Sequence, residues 1–596
     1  MNFTRTLAWI RNLFFLGALA SALLVLSPLT GSAQPPLSSP ASSAPSKSTA
    51  QSQTASGSQL WPDYIWHSIP ASDLGSLTPS PVSRAYEASG WQPLFINSRF
   101  RLDAKAKRLL SRLHCLGEDA IDPGPFELDR LSEIIRKLRA SRSSLEAADP
   151  QFDTTRGLVF LAGQDPDAST AGPGGSTDST PSQADIQAVA AAYRAVLSAA
   201  SQADIRLTTD FFLYSKEMDP VLSVEEGIKA LLGQESNSGY FAELEPKGFG
   251  YQSLRAAYKK YCKLADRHTQ VYVNFASTAR PGDRGTQVRR LQERLGQEGF
   301  YSGEASGVYD RATQRAVRDF QAANMLRPDG ITGRTTLARI NISFEQKAAM
   351  IAYSLKAIRN SPCRQFERFI RVNIPQFMLA YYNNGQIEKT EKVIVGKSSG
   401  KKVNRQGKIV GENQTPTMFS QIYQIIYNPR WYVDGRIRLE LNARAGSNPE
   451  WFEEHGYVKM ESRYRFGEHR LFQKSGPKNA LGRVKFDFLN PYAVYLHDTD
   501  QRYLFAKSRR DLSHGCIRVN NALNLAQTIL ADEANPYISK IQSILSGTRE
   551  AFIKLSQPIP ISVEYIPVVA SDDGQIVFAG DPYGYLADGS QIARKW

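Results

Sequence analysis

His497–Ala526 reads HDTDQRYLFAKSRRDLSHGCIRVNNALNLA, and its interpretation decides the rest of the chain. An apolar strand-like run, Tyr492 to Leu496, delivers His497 at its end. A loop rich in Arg502, Lys507, Arg509 and Arg510 follows, then the Gly515-Cys516 step, then a helical pattern carrying Leu523, Ala526, Ile529 and Leu530 behind Asn521, a residue type suited to an N-cap. A nucleophilic thiol needs a base, a field that favours thiolate, and donors for an oxyanion. His497 can be folded back on Cys516 by the loop. Arg518 and the positive end of the following helix supply the field, and Gly515 leaves room for backbone N–H groups to meet a carbonyl. The plainer readings stand beside this one. A lone buried cysteine is more often a small hydrophobe. His497, His514 and Cys516 could hold zinc, but Arg518 sits close by and the segment offers no fourth ligand.

Moving outward, Phe377–Tyr382, Asn383-Asn384-Gly385 and Val393–Val395 read as a hairpin with an Asn-Gly turn, and Ile422–Tyr427 reads as a further strand. Between these strands and Tyr492, residues 434–475 carry helical spacing and many charges, the pattern of a helical cap inserted into a β fold. The tail 556–596 reads as strand-rich, packing back on the catalytic unit. Upstream, 60–270 is mostly helical in pattern, for example at Ile186, Val189, Tyr193 and Val196-Leu197. It is interrupted by a Gly/Ser/Thr/Pro-rich stretch, 163–183, read as a disordered insertion. His67 and His114 stand alone there, with no chemical constellation around them.

With 596 residues, 42% hydrophobic and 22% charged, a single compact domain and wholesale disorder are both excluded. Arg5 and Arg11 precede the apolar run Leu13–Leu26, and Gly31-Ser32-Ala33 follows. Residues 1–33 therefore read as a secretory signal peptide cleaved after Ala33, since 14 apolar residues fall short of the ~20 that span a bilayer. An uncleaved anchor in the inner membrane is the other reading. Residues 34–59, almost wholly Ser, Ala, Pro, Thr and Gln, read as a tether, with order beginning at Leu60-Trp61. The net charge of +14 on an exported chain favours an acidic extracellular polymer over nucleic acid. Four cysteines, at 115, 262, 363 and 516, are sparse for such a chain and have no metal-like spacing, which hints at a working thiol.

Residues 280–341 are similar to the small three-helix peptidoglycan-binding domain: Gly285, Val288, Leu291-Gln292 and Leu295; Asp310, Thr313, Ala316-Val317 and Phe320-Gln321; Asp329-Gly330-Ile331, Gly333 and Thr336. Eleven Arg against seven acids suit a carboxylate-bearing polymer, although those positions are mostly core and turn residues and a spacer role stays open. Ser513-His514-Gly515-Cys516-Ile517-Arg518, with His497 upstream, resembles the S-H-G-C-x-R signature of L,D-transpeptidase catalytic domains. Val372–Pro375, Val395-Gly396-Lys397, Thr415-Pro416, Tyr427-Asn428-Pro429 and Pro477–Phe486 add to the likeness, and the domain order resembles the large Gram-negative members. The implied fold is multidomain: a helical scaffold (60–270), a three-helix peptidoglycan-binding domain (280–341) and a mainly-β catalytic domain (366–555) with an inserted helical cap.

The resemblance further implies roles. Cys516 would be the nucleophile and His497 the base, oriented by the carbonyl of Asp498 or by an Asp side chain. His514 and the N–H groups of Gly515 and Cys516 would shape the oxyanion site. Arg518 would hold a substrate carboxylate or brace the loop, with Ser513 grouped alongside it as substrate-binding. Peptidoglycan stem peptides would be the substrate, wall-synthesis proteins would be candidate partners, and a carbapenem would acylate Cys516. No cofactor or metal is implied. Diaminopimelate amine, water or a lipoprotein lysine remain open as acceptors, and a non-catalytic wall-binding protein remains the third reading.

Overall fold

The computed structural model describes residues 80–90, 92–152, 182–233, 240–267, 269–405, 408–448, 450–461, 469–571 and 573–586. The expected signal peptide and tether, the expected start of order at Leu60-Trp61, His67 and nearly all of the expected 163–183 insertion lie outside these residues. The insertion reading runs two residues too far, because Ser182 caps and Gln183 begins a 36-residue helix, Gln183–Met218. Ser182 and Asp185 form a reciprocal capping box there.

That helix is the spine of the scaffold. Its buried face, including Tyr193, Val196, Leu197, Leu207, Phe211 and Tyr214, packs with the helices Pro81–Ala88, Ala104–His114, Leu128–Ala148 and Tyr251–Asp266 in one core. Asp204, fully buried on the spine, accepts N–H bonds from Leu94 and Phe95 and the Tyr86 hydroxyl, which explains a carboxylate inside an apolar core. Two distant pieces join this core. The helix Phe344–Arg359, which lies between the expected domains, packs on Tyr251–Asp266, and Ile566, Val568 and Phe578 come from the tail. The tail is therefore shared with the scaffold and does not pack on the catalytic unit alone. His114 donates through Nδ1 to its own helix's Leu110 carbonyl, a local contact.

The module at 280–341 holds three helices, Thr286–Glu298, Arg311–Ala323 and Arg334–Ile340, around Val288, Leu291, Leu295, Val317 and Phe320. Two buried glutamines repeat one device. Gln292 donates to Thr313 and accepts from the Gly307 N–H, and Gln321 donates to Thr336 and accepts from the Gly330 N–H. Each clamps a turn glycine to the next helix, which is why these residues recur in the pattern. Glu298 anchors the module to the scaffold by taking Lys347, Arg294 and the Tyr261 hydroxyl in a buried cluster.

The catalytic region contains strands β1 (Phe369–Asn373), β2 (Met378–Asn383), β3 (Gln386–Gly396), β4 (Lys402–Arg405), β5 (Lys408–Gly411), β6 (Met418–Tyr427), β7 (Trp431–Tyr432), β8 (Tyr457–Glu461), β9 (His469–Gln473), β10 (Val484–Phe488), β11 (Leu496–His497), β12 (Asp511–Ser513), β13 (Ile517–Val519) and β14 (Ala551–Glu564). The Asn383↔Gln386 register leaves Asn384-Gly385 as a two-residue turn with both φ positive, as the primed hairpin turns require. The sheet runs β12-β3-β13-β11-β10-β6-β14-β1-β2, and β2 also pairs with β3, so the ladder closes on itself.

Three sequence expectations change here. First, β14 lies between β6 and β1 in the middle of this sheet, so a catalytic domain ending at 555 cuts through a strand. Second, the expected strand at Tyr492–Leu496 shrinks to β11. Asn490 accepts N–H bonds from Tyr492 and Val494 and donates to the Val494 carbonyl, folding those residues into a turn. Third, the cap is only half helical. Helices Gly435–Ala445 and Trp451–Glu454 pack on the three-stranded sheet β7-β9-β8 through Leu441, Tyr457 and Leu471.

Candidate active site

β11 and β13 lie side by side in parallel, with His497 opposite Arg518, so the strand that ends in the imidazole neighbours the strand that begins just after Cys516. Pairing between strands, and not the loop alone, brings the two together. Cys516 and His497 both line one cavity of ≈770 Å³ between the catalytic sheet and the cap. Trp431, Ile437, Leu441, Trp451 and Tyr457 of the cap region form one wall, and Arg518, Tyr495 and Gly515 the other. A cavity of this size suits a peptide-sized ligand.

His497 is buried, and its Nδ1 lies 2.5 Å from the backbone carbonyl of Asp498. A carbonyl can only accept, so Nδ1 carries the proton and Nε2 is left with a lone pair. The Asp498 side chain is occupied elsewhere, accepting from the Arg483 N–H and from Arg502. Of the two orienting groups open in the sequence, the geometry has the carbonyl. Gly482 makes room for this arrangement: with φ +60°, a Cβ there would sit 2.4 Å from the Asp498 carboxyl. Burial pushes the imidazole down to about 3, helped by the positive charges of Arg518 and Lys485 and opposed by the Asp498 carbonyl. Burial likewise pushes the Cys516 thiol up, against the lowering effect of hydrogen bonds from the Tyr495 backbone and phenol and of Lys485 and Arg518. Both groups are therefore neutral near pH 7.

Tyr495 is a site residue that the sequence reading missed. Its one signal was its place two residues before His497 on an alternating run, which puts both on one face. The ring also packs edge-on to His497 and carries the Lys485 ammonium 4.4 Å from its centroid.

Several expected roles move. Ser513 is buried and turned into its own loop: its hydroxyl donates to the Cys516 carbonyl at 2.6 Å and accepts from the Gly515 N–H at 3.1 Å. It borders the cavity, but its hydroxyl is spent on bracing the loop, and the Gly515 N–H is engaged with it. Among the described residues the Cys516 N–H has no acceptor, so of the two backbone donors it is the one not already engaged. His514 does not turn to the thiol, since its Nε2 meets Glu440 of the cap at 2.8 Å. Burial raises the Glu440 carboxyl, but His514, Lys397 and Arg444 outweigh it and hold the group below its ordinary value. Asn521 precedes the helix Ala522–Asp532 but has φ +48° and makes no side-chain cap, donating instead to Glu391. The charges that act to lower the thiol are those of Lys485 and Arg518.

Of the basic loop, Arg510 is buried and donates to the carbonyls of Phe377, Val393 and Lys507, while Arg509 pairs with Asp511 and Arg502 with Asp498. These three hold the fold together. Arg518 differs: it lines the cavity and donates to Gln501, and among the described residues no carboxylate lies within 4.0 Å of it, Asp500 acting from further off. The four cysteines are all free.

A closed mainly-β sheet presenting a cysteine and a neutral histidine to a capped cavity defines the class of site. Residues 367–549 match the L,D-transpeptidase catalytic domain, and residues 284–340 match the putative peptidoglycan binding domain. Among curated proteins the chain is similar to a putative L,D-transpeptidase of Haemophilus influenzae, 31% identical over 255 residues, which are 40% of this chain and 48% of that protein. The match therefore spans about half the length of that relative. Among solved structures, an L,D-transpeptidase (residues 123–326) from Xylanimonas cellulosilytica is 18% identical, covering 49% of this chain and 98% of that one with a TM-score of 0.16. One from Stackebrandtia nassauensis is 12% identical, with coverages of 48% and 94% and a TM-score of 0.19.

Proposed function

We propose that the chain is a peptidoglycan L,D-transpeptidase working through Cys516. The observation that supports this most strongly is the pair of Cys516 and a buried, Nδ1-protonated His497 opening on one capped cavity. Cys516 Sγ attacks the carbonyl of the third stem residue, a diaminopimelate, as its proton passes to His497 Nε2. The Cys516 N–H bonds the oxyanion. The C–N bond to the terminal D-Ala breaks, the leaving amine takes the proton from His497, and a thioester remains. The amine of a second diaminopimelate then attacks, its proton passing to His497 and on to the departing thiolate, so that two third residues become cross-linked. Arg518, with no carboxylate within 4.0 Å among the described residues and only the more distant charge of Asp500 acting on it, takes a substrate carboxylate. The cap, tied down by Glu440 on His514, keeps water from the thioester. Peptidoglycan lies outside the cytoplasm, so the 1–33 segment serves export to the periplasm, and the 284–340 module holds the glycan near the site.

Incubation with disaccharide-tetrapeptide, read by mass spectrometry beside Cys516→Ala, tests this. A dimer lacking one D-Ala that disappears in the variant is expected. Tripeptide alone would instead mean an L,D-carboxypeptidase, or an acceptor such as a lipoprotein lysine missing from the tube. No change with either protein would leave wall binding.

A further inference from the structure

The family match ends at residue 549, yet a residue far beyond it is bonded to the segments that hold the Cys516 loop. Tyr583, buried in the tail, donates its hydroxyl to the Gly396 carbonyl at 2.8 Å and accepts the Thr415 N–H at 3.0 Å. Thr415 is fully buried. Its hydroxyl accepts the Gly396 N–H at 2.8 Å and donates to the Gly515 carbonyl at 2.7 Å. Gly396 must be glycine for this contact, since a Cβ would lie 1.9 Å from the Asn413 carbonyl oxygen. The tail is itself held: Tyr565 accepts the Tyr583 N–H at 3.1 Å and bonds Asp581, which also takes the N–H groups of Tyr585 and Leu586.

The carbonyl that Thr415 grips belongs to the peptide joining Gly515 to Cys516. In a planar trans peptide the C=O and the following N–H point in opposite directions. Fixing the Gly515 oxygen toward Thr415 therefore fixes the Cys516 N–H on the other side, where a substrate oxyanion would bond it. Gly515, at φ +125°, has no side chain to restrain that plane, so the restraint comes from Thr415.

We propose that Tyr583 is a positioning residue, acting through Thr415 to set the Gly515–Cys516 peptide plane and so aim the oxyanion donor. This inference rests on the transpeptidase reading above. Its chemistry predicts an effect on the chemical step and none on substrate binding, because neither Tyr583 nor Thr415 lines the cavity.

Tyr583→Phe, Thr415→Val, Thr415→Ser and the double variant Tyr583→Phe/Thr415→Val would be assayed on disaccharide-tetrapeptide at a temperature where circular dichroism shows each folded. Thr415→Val should lower kcat by ~100-fold, the size of a lost oxyanion donor, and Tyr583→Phe by about tenfold, with KM within about twofold in both. Thr415→Ser, which keeps the hydroxyl, should restore most of the rate. The double variant should be no slower than Thr415→Val, because the two act in one chain. An unchanged kcat in Tyr583→Phe, a change confined to KM, or effects that multiply in the double variant would overturn the proposal. Absence of turnover by the wild type is a separate failure: it removes the transpeptidase reading, and this inference with it.

Discussion

A resting thiol–imidazole pair, not a preformed thiolate–imidazolium pair, follows from the burial of both groups. Moving the proton from Cys516, above its ordinary value of 9.0, to His497, at about 3, spans at least six pH units, or ~8 kcal/mol. Attraction between the resulting charges at hydrogen-bond contact returns ~4 kcal/mol at an effective dielectric near 20. The difference leaves the ion pair at about one part in a thousand. Alkylation of Cys516 by iodoacetamide, followed by peptide-resolved mass spectrometry to separate it from Cys115, Cys262 and Cys363, reads the thiolate fraction directly. The rate should climb about tenfold per pH unit, ~100-fold between pH 6 and 8, with no plateau in that range. His497→Ala should keep this slope while losing 10²–10⁴-fold, on the order of a general base's contribution, in turnover of tetrapeptide. A rate flat from pH 6 to 8 that becomes steep in His497→Ala would refute the argument, because only a resting ion pair behaves so.

Four further outcomes are expected. Glu298→Ala leaves Lys347 and Arg294 buried without their carboxylate and should cost about 3–5 kcal/mol in urea unfolding. In the wild type, burial pushes Lys347 down to about 8. The unfolded chain then holds the extra proton between about 8 and 10.5, so the lysine's contribution to stability should rise as pH climbs through that window and vanish in Lys347→Met. Gly482→Ala drives a Cβ into the Asp498 carboxyl, shifting the carbonyl that orients His497. Turnover should drop ~100-fold, as an ångström of misplacement at a reacting group costs, with binding of tetrapeptide little changed. A carbapenem should add its full mass to the wild type and nothing to Cys516→Ala, and an unmodified wild-type spectrum would count against the acyl-transfer site.

What the sequence made legible was local. Cys516, His497 and Arg518 sit within 22 residues, and strand alternation with one glycine step sufficed to bring them forward. The Asn384-Gly385 hairpin and the three small helices were equally readable, because turn chemistry and periodicity are near-neighbour properties. The contacts that went unread join residues far apart. The 551–564 segment looks like a tail strand until β6 and β1 close on either side of it, and periodicity carries no information about partners. Arg510 looks like a surface cation, but the backbone carbonyls of Phe377, Val393 and Lys507 capture it. His514 follows the catalytic motif, yet its partner Glu440 comes from an insertion whose position no motif encodes. Thr415 and Tyr583 are 168 residues apart and meet only in the fold.

The central claim is a covalent one: the stem peptide is carried on Cys516 as a thioester. Rapid-quench intact-mass spectrometry after mixing the protein with disaccharide-tetrapeptide tests it most directly. The account predicts a transient adduct equal to the muropeptide less D-Ala, mapping to the peptide that contains Cys516 and absent from Cys516→Ala. Cross-linked product forming with no such adduct, or with an adduct on another residue, would contradict it.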